Sequence, residues 1–178
     1  MNNLIGLAGK AGSGKDAVAR ILVEEYGYTR VAFADTVKRV LEDTDPIVDC
    51  VYGARLSDVL EDEDQDWDAV KRYPEVRRLL QNLGMAVREI DPEWWIKAAY
   101  LPNDGHSRIV VSDVRLPNEV HEIWKKQGVV YRVSRSGAGI GEHPTETALD
   151  GWMLPVIEND GTLDELEAKV REMMKCTP

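Results

Sequence analysis

Close to its start the chain reads Leu-Ile-Gly-Leu-Ala-Gly-Lys-Ala-Gly-Ser-Gly-Lys-Asp over residues 4–16. The first part, residues 4–8, is an apolar run that ends in glycine and predicts a buried strand. The following residues fit the spacing G-x-x-x-x-G-K, and a predicted helix over residues 15–26 follows directly. Glycines allow successive backbone N–H groups to curve around a phosphate chain, and the helix N-terminus adds partial positive charge. The stretch therefore predicts a P-loop that binds nucleotide phosphates, with contacts from Gly9, Ala11, Gly12, Ser13, Gly14 and Lys15.

Asp16 occupies the position after the P-loop lysine, where Ser or Thr usually supplies a hydroxyl to Mg²⁺. A carboxylate is also a hard oxygen ligand, which can bind Mg²⁺ directly or through a water molecule. Alternatively, Asp16 only complements the positive end of the helix dipole in the first turn. We favour the water-mediated metal role, and the sequence leaves both interpretations open.

Predicted strands and helices alternate at both ends of the chain. The strands cover residues 30–33, 109–112, 129–134 and 155–157, and the helices cover residues 35–41, 117–126 and the segment from Thr162 onward. This alternation is typical of an α/β fold with a mostly parallel sheet. The stretch between, residues 42–101, is strongly charged and has helical periodicity, including one helix over residues 74–90. It therefore predicts an all-helical insertion.

Length and composition limit the class of protein. The 178 residues are 43% hydrophobic and 30% charged, which is typical of one ordinary globular domain. The formal charge of −10 argues against a general nucleic-acid or anionic-membrane binder, because such partners repel a negative chain. We expect no membrane helix and no signal peptide, since no apolar run is long enough and the N-terminus lacks a basic region. Because Cys50 and Cys176 make no disulfide framework, we expect a cytoplasmic protein.

A P-loop indicates a nucleotide but not a reaction. The chain has neither the guanine-specificity sequence nor the switch sequence of a GTPase, and it is short and acidic for a nucleic-acid motor. A small-molecule kinase remains, with ATP as the phosphoryl donor. Asp113 ends the third predicted strand, at the position of a carboxylate that holds Mg²⁺ or its water, and Arg115 follows at the same edge.

A candidate lid follows the fourth predicted strand. Arg135 precedes a glycine-rich stretch, residues 136–141, which is loose enough to hinge. An arginine on a mobile lid is a standard way of stabilising the charge that develops in phosphoryl transfer. The alternative is an exposed loop with an unrelated arginine.

The predicted helix over residues 74–90 carries a candidate acceptor site beside its apolar face. Arg77, Gln81, Gly84 and Arg88 fall on one stripe of this helix. Guanidinium groups can grip a phosphate in bidentate fashion, and a glutamine amide can both donate to and accept from a base edge. For Arg77 a solvent-exposed position is the stronger interpretation, whereas for Gln81 and Arg88 we favour the site.

Further substrate contacts are predicted at two places. Asp35, Lys38 and Arg39 follow the second predicted strand, at the edge where parallel sheets bind ligands. The alternative there is a plain helical ion pair between Asp35 and Arg39. Trp94 and Trp95 are neighbours on a helix and face different ways, so one is predicted in the core and the other against a base.

The chain contains, in order, Leu-Ile-Gly-Leu-Ala-Gly-Lys-Ala-Gly-Ser-Gly-Lys-Asp (4–16), Phe-Ala-Asp (33–35), Tyr-Pro-Glu-Val-Arg-Arg-Leu-Leu-Gln-Asn-Leu-Gly (73–84), Val-Ser-Asp-Val-Arg-Leu-Pro-Asn-Glu (111–119) and His-Pro-Thr-Glu (143–146). This ordered set resembles the deoxynucleoside monophosphate kinases of tailed phages over nearly the whole chain. One departure is visible, because Gly84-Met85-Ala86 stands where we would expect Gly-Thr-Glu. If that Thr or Glu touches the base or sugar, the substrate range of this chain differs.

The resemblance implies a P-loop kinase three-layer sandwich, with a five-stranded parallel sheet, a helical acceptor-binding insertion and a short lid. The core would cover about residues 1–41 and 106–178, the insertion about 42–105 and the lid about 135–147. It also implies transfer of the ATP γ-phosphoryl group to a deoxynucleoside monophosphate, and Asp after the P-loop lysine is usual in that family. Catalytic roles then fall to Lys15, Arg88, Asp113 and Arg135, further ATP contacts to Asp16, Arg135 and Asn159, and Mg²⁺ contacts to Asp16 and Asp113. Substrate contacts fall to Asp35, Lys38, Arg39, Arg77, Gln81, Arg88, Trp94, Trp95, Asp113 and Arg115.

Two other functions stay open. Val-Ile-Glu-Asn-Asp-Gly-Thr-Leu (156–163) is similar to the closing segment of dephospho-coenzyme A kinases, in which Asn159 would also lie near the adenine of ATP. The third interpretation is a regulator that binds ATP without turnover, although Lys15 counts against it. We expect nucleotide substrates and neither nucleic-acid nor membrane partners, and a homodimer is left as one option. If a phage encodes the chain, the expected location is the host cytoplasm.

Overall fold

The computed structural model describes residues 3–49, 52–99, 107–139 and 147–176. Cys50, His106 and the His-Pro-Thr-Glu segment at 143–146 lie outside the described residues, as do parts of the predicted insertion and lid. The chain divides into two compact units, residues 1–33 with 99–178, and residues 34–98.

The described strands are β1 (Leu4–Ala8), β2 (Thr29–Val31), β3 (Ile47–Asp49), β4 (Ala54–Arg55), β5 (Ile109–Val114), β6 (Val129–Ser134) and β7 (Val156–Glu158). The described helices are α1 (Lys15–Tyr26), α2 (Phe33–Thr44), α3 (Leu56–Asp62), α4 (Trp67–Val70), α5 (Pro74–Ile90), α6 (Trp94–Ala99), α7 (Pro117–Lys125) and α8 (Leu163–Cys176). Among these helices none is both long and apolar enough to span a bilayer.

The first unit contains a five-stranded sheet in the order β2-β5-β1-β6-β7. Every neighbouring pair is parallel, with Leu4 opposite Ile109 and Ile5 opposite Val129. Parallel sheets are covered on both faces, and the fully buried β1 fits this rule. The prediction of an α/β fold with a five-stranded parallel sheet is therefore confirmed.

Helices cover the two faces of this sheet and complete three layers. Ile5 and Leu7 of β1 pack in one core cluster with α1 and α8, through residues such as Leu22 and Val170. Successive side chains of a strand point to opposite faces, so Gly6 faces the other way. A Cβ on Gly6 would lie 2.7 Å from Cδ1 of Ile123 in α7, which shows how closely α7 packs on that second face.

The second unit, residues 34–98, is not all-helical, so that prediction is wrong. It contains an antiparallel pair, β3 and β4, with Ile47 opposite Arg55 and Asp49 opposite Ala54. Gly53, with φ of +74°, precedes the second of these short strands. Its core combines Leu41 of α2 with residues of β3, α3, α4 and α5, including Val76.

Several predicted boundaries shift by a few residues. The second strand ends at Val31 rather than residue 33, because Phe33 already begins α2, and α2 runs on to Thr44. Ile90, at the end of α5, has the 3.6-residue periodicity of the apolar face of this helix but is 86% exposed.

Candidate phosphate-binding site

The loop between β1 and α1 can be built only with glycine at two positions. Gly9 has φ of +143°, and a Cβ there would lie 2.3 Å from the backbone oxygen of Val133 and 2.8 Å from Ser13 Oγ. Gly14 has φ of +98°, and a Cβ there would lie 2.1 Å from Nδ2 of Asn159. The loop therefore lies directly against β6 at Gly9 and against Asn159 at Gly14, with no room for a side chain at either position, as a close-packed backbone cradle for phosphate requires.

Lys15 is the first residue of α1 and folds back over this loop. Its Nζ donates to the carbonyl oxygens of Gly9 and Lys10, at 2.8 Å each. An ammonium group held this way is positioned by the loop itself. A phosphate oxygen bound in the cradle would offer the same Nζ a charged acceptor in place of neutral carbonyls.

Asn159 lies directly beneath the loop. It is buried, and its Nδ2 donates to the backbone oxygen of Ser13 at 2.9 Å. The hydroxyl of Ser13 is also buried and has no hydrogen-bond partner among the described residues. The contact of Asn159 with adenine stays a prediction, whereas its support of the loop is a contact that the sequence did not indicate.

A cavity of about 260 Å³ opens beside the loop, at the carboxyl ends of β5 and β6. Cationic side chains from Lys10, Arg115, Arg132 and Arg135 line it, together with the carboxylate of Asp150. Carboxyl ends of parallel strands are where α/β sheets bind ligands. An excess of cationic groups around one carboxylate suits a polyphosphate.

Asp150 lies between two of these cations. Its carboxylate is 4.0 Å from Nζ of Lys10 and 3.9 Å from Nη1 of Arg132. Arg132 also donates to the backbone oxygens of Leu149 and Trp152, and so ties this segment to β6. Sequence reasoning assigned no role to Lys10 or Asp150, because neither stands at a diagnostic motif position.

The two predicted metal ligands lie in the first turn of α1 and near the carboxyl end of β5. Asp16 is exposed in the first turn of α1, and Oδ1 of Asp113 accepts a hydrogen bond from the Phe33 N–H at 2.9 Å. Within the described residues no group of three or more Asp, Glu, His or Cys side chains is arranged to hold a metal. Mg²⁺ needs only one or two carboxylates when substrate phosphates and waters complete its shell, so carboxylates of this kind suit it chemically, and the metal role of Asp16 and Asp113 stays a prediction.

The start of the predicted lid packs against the loop. The N–H of Gly139 donates to the carbonyl oxygen of Ala11 at 3.1 Å. The N–H of Ser136 donates to Oδ1 of Asp160 at 2.6 Å, and this hydrogen bond holds the pKa of the Asp160 carboxyl below its ordinary value. Arg135, just before these anchors, is exposed and lines the cavity.

Apart from Asp113 and Arg115, the predicted substrate residues lie in the second unit. Two of them donate to the same backbone oxygen. Nη1 of Arg88 donates to the carbonyl oxygen of Gly84 at 3.2 Å, and the indole N–H of Trp95 donates to the same oxygen at 3.0 Å. Trp95 is 2% exposed and Trp94 is 51% exposed, so Trp95 is the core member of the pair. Arg77 and Gln81 are exposed on the same helix, α5.

On α2, Lys38 is held by two neighbours. Its Nζ pairs with Asp35 at 3.0 Å and lies 5.6 Å from the ring centre of Trp67. Asp35 thus forms an ion pair with Lys38, and Arg39 is exposed. This arrangement orients the Lys38 ammonium, and contact with a substrate stays a prediction.

Comparison with known proteins places this site in context. The family described as deoxynucleotide monophosphate kinase matches residues 48–170. The deoxynucleotide monophosphate kinase of Enterobacteria phage T4 is 31% identical over 132 residues, which cover 68% of this chain and 51% of that protein. A putative deoxynucleotide monophosphate kinase of Acanthamoeba polyphaga mimivirus is 27% identical over 185 aligned positions, covering 94% of this chain and 93% of that protein. The chain thus spans about half the length of the phage relative and nearly all of the mimivirus one.

Among solved structures, dephospho-CoA kinase from Campylobacter jejuni matches with a TM-score of 0.50 and 11% identity. The match covers 98% of this chain and 96% of that one. At this identity the likeness shows the fold alone, which is that of a P-loop kinase.

Proposed function

Because the chain belongs to the deoxynucleotide monophosphate kinase family, we propose that it transfers the γ-phosphoryl group of ATP to a deoxynucleoside 5′-monophosphate. The observation that carries the proposal is the glycine loop with Lys15 folded over it, beside a cavity lined by cationic side chains. A site of this kind binds and aligns phosphate chains. It contains the parts that phosphoryl transfer needs, which are backbone donors, a lysine and several guanidinium groups.

On the donor side, the loop N–H groups hold the ATP phosphates. Lys15 leaves the carbonyl oxygens of Gly9 and Lys10 and pairs with the β- and γ-phosphate oxygens. Arg135 contributes charge from the start of the lid, and Arg115 from the end of β5. Asp16 and Asp113 would hold Mg²⁺, directly or through water, and the ion would supply positive charge beside the transferring group.

On the acceptor side, the nucleophile is a phosphate oxygen. It is already anionic near neutral pH, because the second pKa of a phosphate monoester is about 6. No general base is required, and catalysis reduces to alignment and charge neutralisation. We assign the acceptor phosphate to Arg88, and the base and sugar to side chains that include Gln81 and Trp94, in the second unit. In this scheme that unit is the acceptor-binding insertion, residues about 135–147 form the lid, and the reaction takes place in the cytoplasm.

A panel of acceptors tests the reaction. ADP release is followed in a coupled assay with Mg-ATP and, in parallel, dAMP, dGMP, dCMP, dTMP, the four ribonucleotides and dephospho-CoA. Turnover of one or more deoxynucleotides is expected, and the panel reports the base preference at the same time. Turnover of dephospho-CoA alone would overturn the assigned acceptor, and ATP binding without turnover of any acceptor would favour a regulator.

Arg88→Ala is expected to lower kcat/KM for the deoxynucleotide by at least ~2 kcal/mol, about 30-fold, because a charge-assisted contact with the acceptor phosphate is lost. The matched control is Arg78→Ala on the same helix, where the guanidinium forms two hydrogen bonds to Glu75. We expect kcat/KM of this control to stay within about threefold of the wild-type value, since exposed ion pairs contribute little. A near-normal kcat/KM in correctly folded Arg88→Ala would remove Arg88 from the acceptor site.

A further inference from the structure

A buried carboxylate lies at the turn from β5 into α7, next to Arg115, which lines the cationic cavity. Glu119 is 2% exposed, and its Oε2 accepts hydrogen bonds from two backbone N–H groups, Arg115 at 2.7 Å and Leu116 at 3.0 Å. Burial of a carboxylate is costly unless donors compensate it, so this turn depends on the two contacts. From this geometry we propose that Glu119 is a positioning residue, which fixes the backbone of Arg115 so that its guanidinium meets a nucleotide phosphate in the cavity. The inference rests on the proposed function.

The local sequence explains why these donors need a partner. β5 ends at Val114, and Pro117 begins α7 without an N–H of its own. Arg115 and Leu116 lie between the end of the strand and the first residue of the helix, outside the regular hydrogen-bond ladders of both. Glu119, in the first turn of α7, reaches back and accepts from both.

The start of α8 shows how an ordinary capping glutamate differs from Glu119. At the start of α8, Glu165 reaches back in the same way, and its Oε2 accepts the N–H of Thr162 at 2.8 Å. Glu165 is exposed and its hydrogen bond stops at the N-cap residue, as in an ordinary capping box. Glu119 is buried and also holds the residue before the cap, and that residue, Arg115, lines the cavity.

The bond from Glu119 to the Arg115 N–H affects function by setting where the Arg115 guanidinium lies. A residue at the end of a strand directs its side chain according to its backbone, so release of the Arg115 N–H would let the guanidinium shift. A shift of about 1 Å in a phosphate contact can cost up to about 100-fold in rate. The effect of removing Glu119 should therefore pass through Arg115, in addition to any loss of helix stability.

A double-mutant cycle separates the two effects. Arg115→Ala, Glu119→Ala and the double variant are compared in kcat, in KM for ATP and for the deoxynucleotide, and in the Kd of ADP measured by calorimetry. Whichever of these parameters Arg115→Ala worsens, Glu119→Ala is expected to worsen the same parameter by about tenfold. In the Arg115→Ala background, loss of Glu119 should add less than about twofold. Glu119→Gln keeps an oxygen acceptor and should restore the parameter to within about threefold of wild type.

Glu165→Ala is the control, because it removes the corresponding cap from α8 and should lower the melting temperature without changing the same kinetic parameter. If Glu119→Ala does not fold, Glu119→Asp takes its place in the cycle, since it keeps the charge and is one methylene too short to reach both N–H groups. Additive losses in the double variant, or losses in a parameter that Arg115→Ala leaves unchanged, would overturn the inference. A wild-type enzyme that turns over no acceptor would refute the proposed function, while the ADP arm would still test Glu119.

Discussion

Lys15→Ala is expected to reduce phosphoryl transfer by about 1000-fold, close to 4 kcal/mol in the barrier, while the fold stays intact. Nζ of Lys15 donates to two main-chain oxygens of the P-loop, Gly9 O and Lys10 O. Its loss should therefore affect the loop little and the bound phosphates greatly, because the ammonium stabilises charge on the transferring group. The measurement is single-turnover transfer from ATP to the preferred deoxynucleotide, with the melting temperature as a check on folding.

The matched control for this prediction is Lys10→Ala, five residues earlier in the same loop. Lys10 lines the cavity but is paired with Asp150 at 4.0 Å, so its charge is already partly compensated. We expect Lys10→Ala to lower the rate of phosphoryl transfer by no more than about tenfold. If Lys15→Ala kept more than a tenth of the wild-type rate, with an unchanged melting temperature, Lys15 would have no central role in transfer.

Elements with strong local signals could be predicted from the sequence. β1, α1, α5 and β6 have the predicted bounds. Gly27 adopts a left-handed conformation at the end of α1, and Pro74 begins α5, so residues at the ends themselves specify these helices.

Elements that depend on distant contacts were predicted less well. The N–H of Phe33, at the start of α2, is satisfied by Asp113, which lies 80 residues away in sequence. No local pattern near Phe33 contains that information, and the predicted helix accordingly began two residues late. The β3–β4 pair was missed for a related reason, since strands of three and two residues are too short to show an alternating pattern.

The residues of the candidate site also fall into those that local sequence predicted and those that depend on distant contacts. The P-loop was predicted from its spacing between a strand and a helix, and Asp113 and Arg115 were placed by the end of a predicted strand. The cavity, in contrast, is completed by Asp150 and by the support of Asn159 under the loop, both far along the chain. Only the packed sheet shows that these residues meet.

Gly9→Ala is expected to destabilise the chain by at least ~2 kcal/mol and to abolish measurable ATP binding. Two costs add at this position. The backbone has φ of +143°, which residues with a Cβ rarely adopt, at a cost of about 1–3 kcal/mol. The new Cβ would also lie 2.3 Å from the carbonyl oxygen of Val133, and a backbone atom of the central sheet cannot move aside as a side chain can.

Gly12→Ala separates these two costs. Gly12 also has a positive φ, +77°, but a Cβ there meets nothing within 4 Å, so only the conformational cost of about 1–2 kcal/mol applies. Urea unfolding of both variants gives the difference, and titration with ATP gives the affinity of each. Equal unfolding free energies for the two variants would show that the contact between the loop and β6 is not tight. If Gly9→Ala loses more unfolding free energy than Gly12→Ala and also loses ATP binding, the close approach to Val133 is what shapes the loop for phosphate.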